Sequence, residues 1–252
     1  MCTLAFYFQA FSHYPIVVAA NRDEFLTRPS AAPRQLSAAP WIYGGQDLLA
    51  GGTWLGINEH GILAAVLNRR TGLPADPRRR SRGILCLEAL QYASVEHAVD
   101  FVHAQFPDDY NPFNLLIADQ RQAYVIHAHA PLFETKPLRP GFHLLTNYNV
   151  NDDTCPRTKR SASEFARLVP LNAEQPPTFA DLCAQLYPLL ATHAPDPDPR
   201  ASVCIHLDGY GTSSSTLLVY SRSDRRYLYT FALGAPCHNT YSEVVIPSGR
   251  RE

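Results

Sequence analysis

Apolar residues along the chain fall into short runs whose period switches between strand and helix. Residues 2–10 and 15–21 are rich in aromatic or β-branched side chains and are separated by Phe11-Ser12-His13-Tyr14-Pro15, the signature of two paired strands. The polar stretch Asn21-Arg22-Asp23-Glu24 then reads as the cap of the second strand, where side chains face a site rather than a core. Residues 28–40, punctuated by Pro29, Pro33 and Pro40, read as loop. Two strands flank the turn Asn58-Glu59-His60-Gly61, and the second, ending at Asn68, is apolar on both faces, as a covered strand should be. After an Arg/Pro-rich loop over 69–80, helical periodicity runs over 82–92 and 94–106, with Ser94 as N-cap of the second helix. Strands resume over 113–119, 123–129 and 141–147, the last ending in the polar corner 147–153. Helices fit 158–169 and 178–191, broken by Pro176-Pro177, and Pro195, Pro197 and Pro199 stiffen the loop that follows. Strands over 202–207, 214–221 and 226–233 close the chain. Helical pairs lying outside antiparallel strand blocks predict an α+β fold, a four-layer αββα sandwich with the N-terminal strand inside a sheet. A single domain over residues 1–252 is expected.

Composition narrows the function. With 252 residues and 46% hydrophobic content, the chain can bury a core without metal or disulfide staples. A net charge of −1 argues against a nucleic-acid or anionic-membrane footprint, and the Arg78-Arg79-Arg80 cluster with Arg82 reads as a solvated loop. No apolar run reaches the roughly 18 residues of a membrane span, and no secretory leader pattern precedes Cys2, so a cytoplasmic protein is expected. The six cysteines show neither CxxC pairs nor zinc-finger spacing and read as free, mostly buried thiols in a reducing compartment. His97 and His103 do not stack as a ligand pair, and His127 and His129 share a strand face without an acidic or thiol partner at matching pitch. Neither metal nor cofactor is expected.

The chemistry concentrates at strand ends. Cys2 follows the initiator directly, and its small side chain favours removal of Met1, which would leave thiol and free α-amine on one residue. Such an amine titrates near neutrality, at about 7.7–8.0, and can serve as base for its own nucleophile. Asn21, Arg22, Asp23 and Glu24 offer charges to orient that pair, while Asn68 and Asn147 offer side-chain amides for an oxyanion. Trp54, Asn114, Thr212 and Ser213 are candidates for substrate contact. Each has a blander reading: asparagines cap turns, and Arg–Asp neighbours form surface ion pairs. The paired glycines Gly51-Gly52 resemble a phosphate cradle, but the following Lys-Ser/Thr and helix of a P-loop are missing.

Met1-Cys2, Ala20-Asn21-Arg22-Asp23-Glu24-Phe25, Gly51-Gly52-Thr53-Trp54-Leu55-Gly56 and Asn68 resemble the NRDE family, the transport and Golgi organisation protein 2 group. Ser81-Arg82-Gly83, Phe113-Asn114-Leu115, Thr146-Asn147 and Gly209-Tyr210-Gly211-Thr212 continue the resemblance in order, over essentially the whole chain. More distantly, Cys2, Gly56 to Gly61 leading into Asn68, and Leu145-Thr146-Asn147 are similar to the choloylglycine hydrolase and penicillin V acylase group of N-terminal-nucleophile (Ntn) hydrolases. That resemblance implies the αββα fold, Cys2 as nucleophile towards a linear non-peptide C–N bond, and Asn68 and Asn147 as oxyanion and substrate-orienting groups. It aligns Asn21 with the hydrolases' arginine and Glu24 with their aspartate; a one-residue slip would give Arg22 the arginine role. Many NRDE members resemble Gly-Thr-Arg after the Gly-Tyr, whereas Ser213 follows Thr212 here. The expected partner is a small-molecule or acylated substrate. Two alternatives stay open: a binding protein for haem or lipid without turnover, and a catalytically silent Ntn-fold relic. The oligomeric state is left open.

Overall fold

The structure is a computed structural model that describes residues 2–72, 74–168, 176–194, 198 and 201–246. The first block of strands comprises β1 (Thr3–Phe8), β2 (Ile16–Phe25), β3 (Ser30–Ala38), β4 (Trp41–Asp47), β5 (Leu55–Asn58) and β6 (Leu63–Asn68). Helices α1 (Arg82–Ala89) and α2 (Val95–His103) follow, then β7 (Phe113–Ala118), β8 (Ala123–His129), β9 (Leu132–Pro137) and β10 (Gly141–Leu145). Helices α3 (Pro156–Ala166) and α4 (Phe179–Leu190) precede β11 (His206–Leu207), β12 (Tyr210–Ser221), β13 (Arg226–Leu233) and β14 (Ser242–Glu243). The architecture is α+β with two antiparallel sheets, as the order of apolar runs predicts. By contacts the chain divides into two compact units, one of Met1–Thr27 with Arg139–Val245 and one of Arg28–Leu138 with Ile246–Glu252.

In the first unit the strand order is β10-β1-β2-β12-β13-β14, with β11 beside β12. β1 therefore lies inside the sheet, and all six of its residues are buried. Ala5, Tyr7, Val17, Ala19, Leu217 and Val219 form one apolar face, packed against Phe165 of α3 and Leu182, Leu186 and Leu190 of α4. The last three recur every fourth residue, so they make one stripe on the helix, and each buried leucine contributes about 1.5–3 kcal/mol. α4 starts at a capping box: the Thr178 hydroxyl accepts from the Asp181 N–H at 3.2 Å, and the Asp181 carboxylate accepts from the Thr178 N–H at 2.8 Å.

The second unit is a meander, β3-β4-β5-β6-β7-β8-β9. Leu85, Cys86 and Ala89 of α1 and Val95, Ala98 and Val102 of α2 pack on Ile62, Ala64, Leu115, Ile117 and Ile126. Ser94 caps α2 as predicted, accepting from the His97 N–H at 3.3 Å.

Three expectations need correction. Residues 28–40 are not loop: most of them form β3. β3 is an edge strand, and its pairing slips between Ala31 and Arg34, across Pro33, so the missing N–H costs no regular ladder bond. Asn21–Glu24 do not cap β2 but lie within it, because β12 continues pairing along them to Phe25. Of the strand expected over 202–207, only His206–Leu207 forms, while β9 was not anticipated. Pro195, Pro197 and Pro199, the end of the helix expected over 158–169, and Met1 lie outside the described residues.

Candidate active site

The site is built in the first unit, where β1 begins. Thr3 pairs with Asn21 on β2, and Leu4 pairs with Leu145 on β10. Carried one step further, these registers set Cys2 between Arg22 on one neighbour and the Thr146-Asn147 end of the other. Strand alternation then sorts the candidates by face. Asn21 and Asp23 point to the helical face, whereas Arg22 and Glu24 share the opposite face with Cys2. The geometry thus separates the two candidates for the arginine role, placing Arg22 rather than Asn21 on the thiol's side.

Asn21 is a fastener. Its amide donates to the carbonyls of Leu190 at 2.8 Å and Val203 at 3.0 Å, and its oxygen accepts from the Ser215 hydroxyl at 2.6 Å. It ties the end of α4 to the sheet. Arg22 donates to the Ser213 hydroxyl at 3.0 Å, which in turn donates to the Arg22 carbonyl at 3.0 Å; Glu24 lies 3.9 Å from the guanidinium. Ser213 falls where β12 slips in register between Thr212 and Ser214, and from there it clasps Arg22.

Beneath Cys2 lies a buried polar network. The Asp23 carboxylate accepts from the Thr212 hydroxyl at 2.7 Å and from Arg157 at 3.1 Å, and Arg157 also donates to the Thr3 hydroxyl at 2.6 Å. The Asp23 carbonyl accepts from Tyr210 at 3.1 Å and, weakly, from the Cys2 thiol at 3.8 Å. Burial pushes the Asp23 carboxyl above its ordinary value, opposed chiefly by Arg157. Burial likewise raises the Cys2 thiol; the charge of the amino terminus opposes this, Asp23 reinforces it, and Arg22 opposes it more weakly. Cys2 therefore rests as a neutral thiol near pH 7 and needs a base to become a nucleophile.

Arg157 escaped the sequence reading. A basic residue in the first turn of a helix is usually solvated; only its inward position and the carboxylate across from it make it part of the buried network. Asn147 is buried, at 6% exposure, at the same end of the sheet. The neighbouring Thr146 hydroxyl accepts from the Tyr148 N–H at 3.3 Å, which shapes the corner.

The other candidates belong to the second unit. Asn68 ends β6 and is exposed. Asn114 is fully buried, its oxygen 2.8 Å from Arg69 and 2.7 Å from His127 Nδ1. The Trp54 indole covers Gly45, where a Cβ would sit 2.3 Å from the ring. Gly52 abuts the backbone of Gly83, with a Cβ meeting Gly83 C at 2.1 Å, while the Thr53 N–H donates to the Gly83 carbonyl at 3.0 Å. Gly51-Gly52-Thr53-Trp54 and Ser81-Arg82-Gly83 are thus packing partners, which accounts for the paired glycines without a phosphate.

The cysteines hold a surprise. All six are free of disulfides, yet Cys204 and Cys237 approach to 3.6 Å between sulfurs, with His193 and His206 beside them. Their spacing along the chain carries no metal signature; the fold alone assembles them.

The family model described as Transport and Golgi organisation 2 matches residues 1–230. Among named relatives, the Transport and Golgi organization protein 2 homologs of Bos taurus and Homo sapiens are each 30% identical, over 87% of this chain and 88% of theirs. The Drosophila melanogaster protein is 24% identical over 92% of both chains. Solved structures share the fold at low identity. An N-acylethanolamine-hydrolyzing acid amidase ortholog from Caenorhabditis elegans superposes with a TM-score of 0.59 at 16% identity, over 86% of this chain and 92% of its own. Penicillin V acylase from Agrobacterium tumefaciens gives 0.55 at 15%, over 92% and 83%. A variant of the conjugated bile acid hydrolase from Clostridium perfringens gives 0.56 at 11%, over 97% and 96%.

Proposed function

The chain belongs to the Transport and Golgi organisation 2 family, and from that premise we propose that it is an N-terminal-nucleophile cysteine amidohydrolase acting on a linear amide of a small or acylated substrate. The observation that carries this reading is the position of Cys2: at the head of an internal strand, over the Asp23–Arg157–Thr212 network, with Arg22 on its own face. The mechanism is built from the first unit alone, so Asn68, Trp54 and Asn114 carry no step in it.

Removal of Met1 leaves the Cys2 α-amine beside its thiol. Because burial holds the thiol protonated, the amine takes that proton as Sγ attacks the carbonyl carbon of the substrate. The C=O electron pair moves to oxygen, and the Asn147 amide donates to the resulting oxyanion. Collapse expels the leaving amine, which collects the proton from the α-ammonium, and a thioester remains on Cys2. Water, deprotonated by the same α-amine, releases the acid and restores the thiol. Asp23, held by Thr212 and Arg157, keeps negative charge near the ammonium while it forms, and Arg22 sets the electrostatics on the thiol's face.

Intact mass of the untagged protein, before and after a thiol-directed acylating probe, tests this. Loss of Met1 and a single adduct mapped to Cys2, absent in Cys2→Ala, is the expected result. Retained Met1, or label spread over the other cysteines, removes the base from the mechanism and leaves the haem- or lipid-binding reading in its place.

A further inference from the structure

Four side chains from three separate segments of the first unit converge on one point. His193 follows the end of α4, Cys204 and His206 lead into the β11–β12 hairpin, and Cys237 lies in the turn after β13. Cys204 Sγ lies 3.6 Å from Cys237 Sγ and 3.6 Å from His206 Nε2, and His206 Nε2 lies 3.1 Å from Cys237 Sγ. One ligand atom from each of the four residues falls within 4.8 Å of every other. A tetrahedron drawn with Zn–S near 2.3 Å and Zn–N of about 2.0–2.1 Å has edges of roughly 3.4–3.8 Å. Two of the measured separations, both 3.6 Å, fall inside that range, and the third, 3.1 Å, is shorter. Cys204 lies in a bend, and His206 opens β11 two residues later.

The surroundings orient the ligands. His193 Nδ1 lies 3.0 Å from the Cys204 carbonyl, which only accepts; the neutral ring therefore carries its proton on Nδ1 and its lone pair on Nε2. The Cys204 N–H donates to the Thr192 carbonyl at 2.9 Å, which fixes the two segments together. Packing alone does not account for the group, since His193 and His206 are exposed while Cys204 is buried.

We propose that His193, Cys204, His206 and Cys237 bind one zinc ion as a closed, structural Cys2His2 site. Two thiols lose their protons to solvent, two imidazoles bind through lone pairs, and the divalent charge is balanced by the two thiolates. Thiolates with imidazoles select zinc over magnesium or calcium, and four protein ligands leave no open position for substrate. The metal is a clip rather than a catalyst. It pins the segment whose Ile205 N–H donates to the Thr212 hydroxyl at 2.9 Å, and that hydroxyl is the one bonded to Asp23. The site is independent of whether Cys2 is a nucleophile.

The test uses the untagged full chain, purified under reducing conditions, with bound metal measured by inductively coupled plasma mass spectrometry. About one zinc per chain is expected, falling at least fivefold in Cys204→Ser, Cys237→Ser and His206→Gln and unchanged in Cys183→Ala. Refolding with cobalt in place of zinc should give the strong visible bands of tetrahedral cobalt together with thiolate charge-transfer absorption. If the variants do not fold, the zinc content and cobalt spectrum of the unaltered protein decide by themselves. Substoichiometric zinc with a weak octahedral cobalt spectrum overturns the proposal, as does a Cys204–Cys237 disulfide in the reduced preparation.

Discussion

Replacing Arg157 with methionine keeps most of the stem that fills its place and removes the cation facing Asp23. The two side chains are 3% and 0% exposed and their charged atoms lie 3.1 Å apart. At an effective dielectric near 20, unit charges that close attract by about 5 kcal/mol, much of it offset by the desolvation of both ions. Removing one partner is a different matter, because the other charge stays buried; such losses run to about 3–5 kcal/mol. Asp23 has one escape, which is to bind a proton. Holding a carboxyl of ordinary pKa, about 3.9, protonated at pH 7 costs about 4 kcal/mol at 1.36 kcal/mol per pH unit, and this caps the penalty. The sign of the pH dependence follows. In the variant the native state holds a proton that the unfolded state has released, so stability rises as pH falls towards the unfolded carboxyl value. Urea-unfolding midpoints at unchanged m should show a loss of about 3–4 kcal/mol at pH 7, shrinking by about 1.4 kcal/mol per pH unit down to pH 5. Adding Asp23→Asn to Arg157→Met should recover most of the loss, since the amide keeps an acceptor for Thr212 without the charge. A loss under about 1 kcal/mol at pH 7, or one that does not change with pH, refutes the reasoning.

Two further predictions concern the second unit. His127 is buried beside Arg69, with Lys136, Glu134 and His129 near, and burial first and Arg69 second depress it to about 4. Because the native ring stays neutral where the unfolded one is charged, its contribution is fully present above about pH 6.5 and is lost as pH falls to about 4, a change of about 3 kcal/mol; a His127→Gln variant whose pH–stability curve keeps the same slope across that window contradicts this. Gly52→Ala drives a Cβ into the Gly83 backbone at 2.1 Å and should cost about 3 kcal/mol or more. Gly51→Ala meets open space but a φ of +79°, and should cost only about 1–2 kcal/mol; equal melting-temperature losses for the two would show that crowding at Gly83 does not govern the motif.

Much of the layered fold was legible because its apolar runs carry their own period. The stripe on α4, the cap at Ser94 and the apolar runs of β7 and β8 are local facts. Pro33 misled because a proline in isolation reads as a breaker, and its tolerance depends on β3 being an edge, which is a tertiary property. Asn21 to Glu24 misled for a related reason: polar residues in a row look like a strand's end unless the partner strand, β12, is known to run past them. For the site, the sequence pointed to strand ends, whereas Asn21 to Glu24 lie within β2, and which of Asn21 and Arg22 shares a face with Cys2 follows only from the pairing. Arg157, and the convergence of Cys204, His206 and Cys237, were invisible because each joins residues far apart in sequence, and no spacing rule encodes such a meeting.

The insertion of one unit within the other also sets a timetable for synthesis. Every strand and helix of the second unit lies between residues 28 and 138, so that sheet can close while the ribosome is still producing the remainder. The β1–β2 pair cannot be completed so early, since its outer neighbours β10 and β12 end at Leu145 and Ser221. At about 5–20 residues per second, the wait from the end of β2 to the end of β12 is on the order of 10–40 s. For that interval a hairpin built of residues destined for burial stays without half its partners, and it is the part of the nascent chain that a holding chaperone would be expected to cover. The same interval keeps the amino terminus within reach of a processing enzyme before the sheet closes around Cys2.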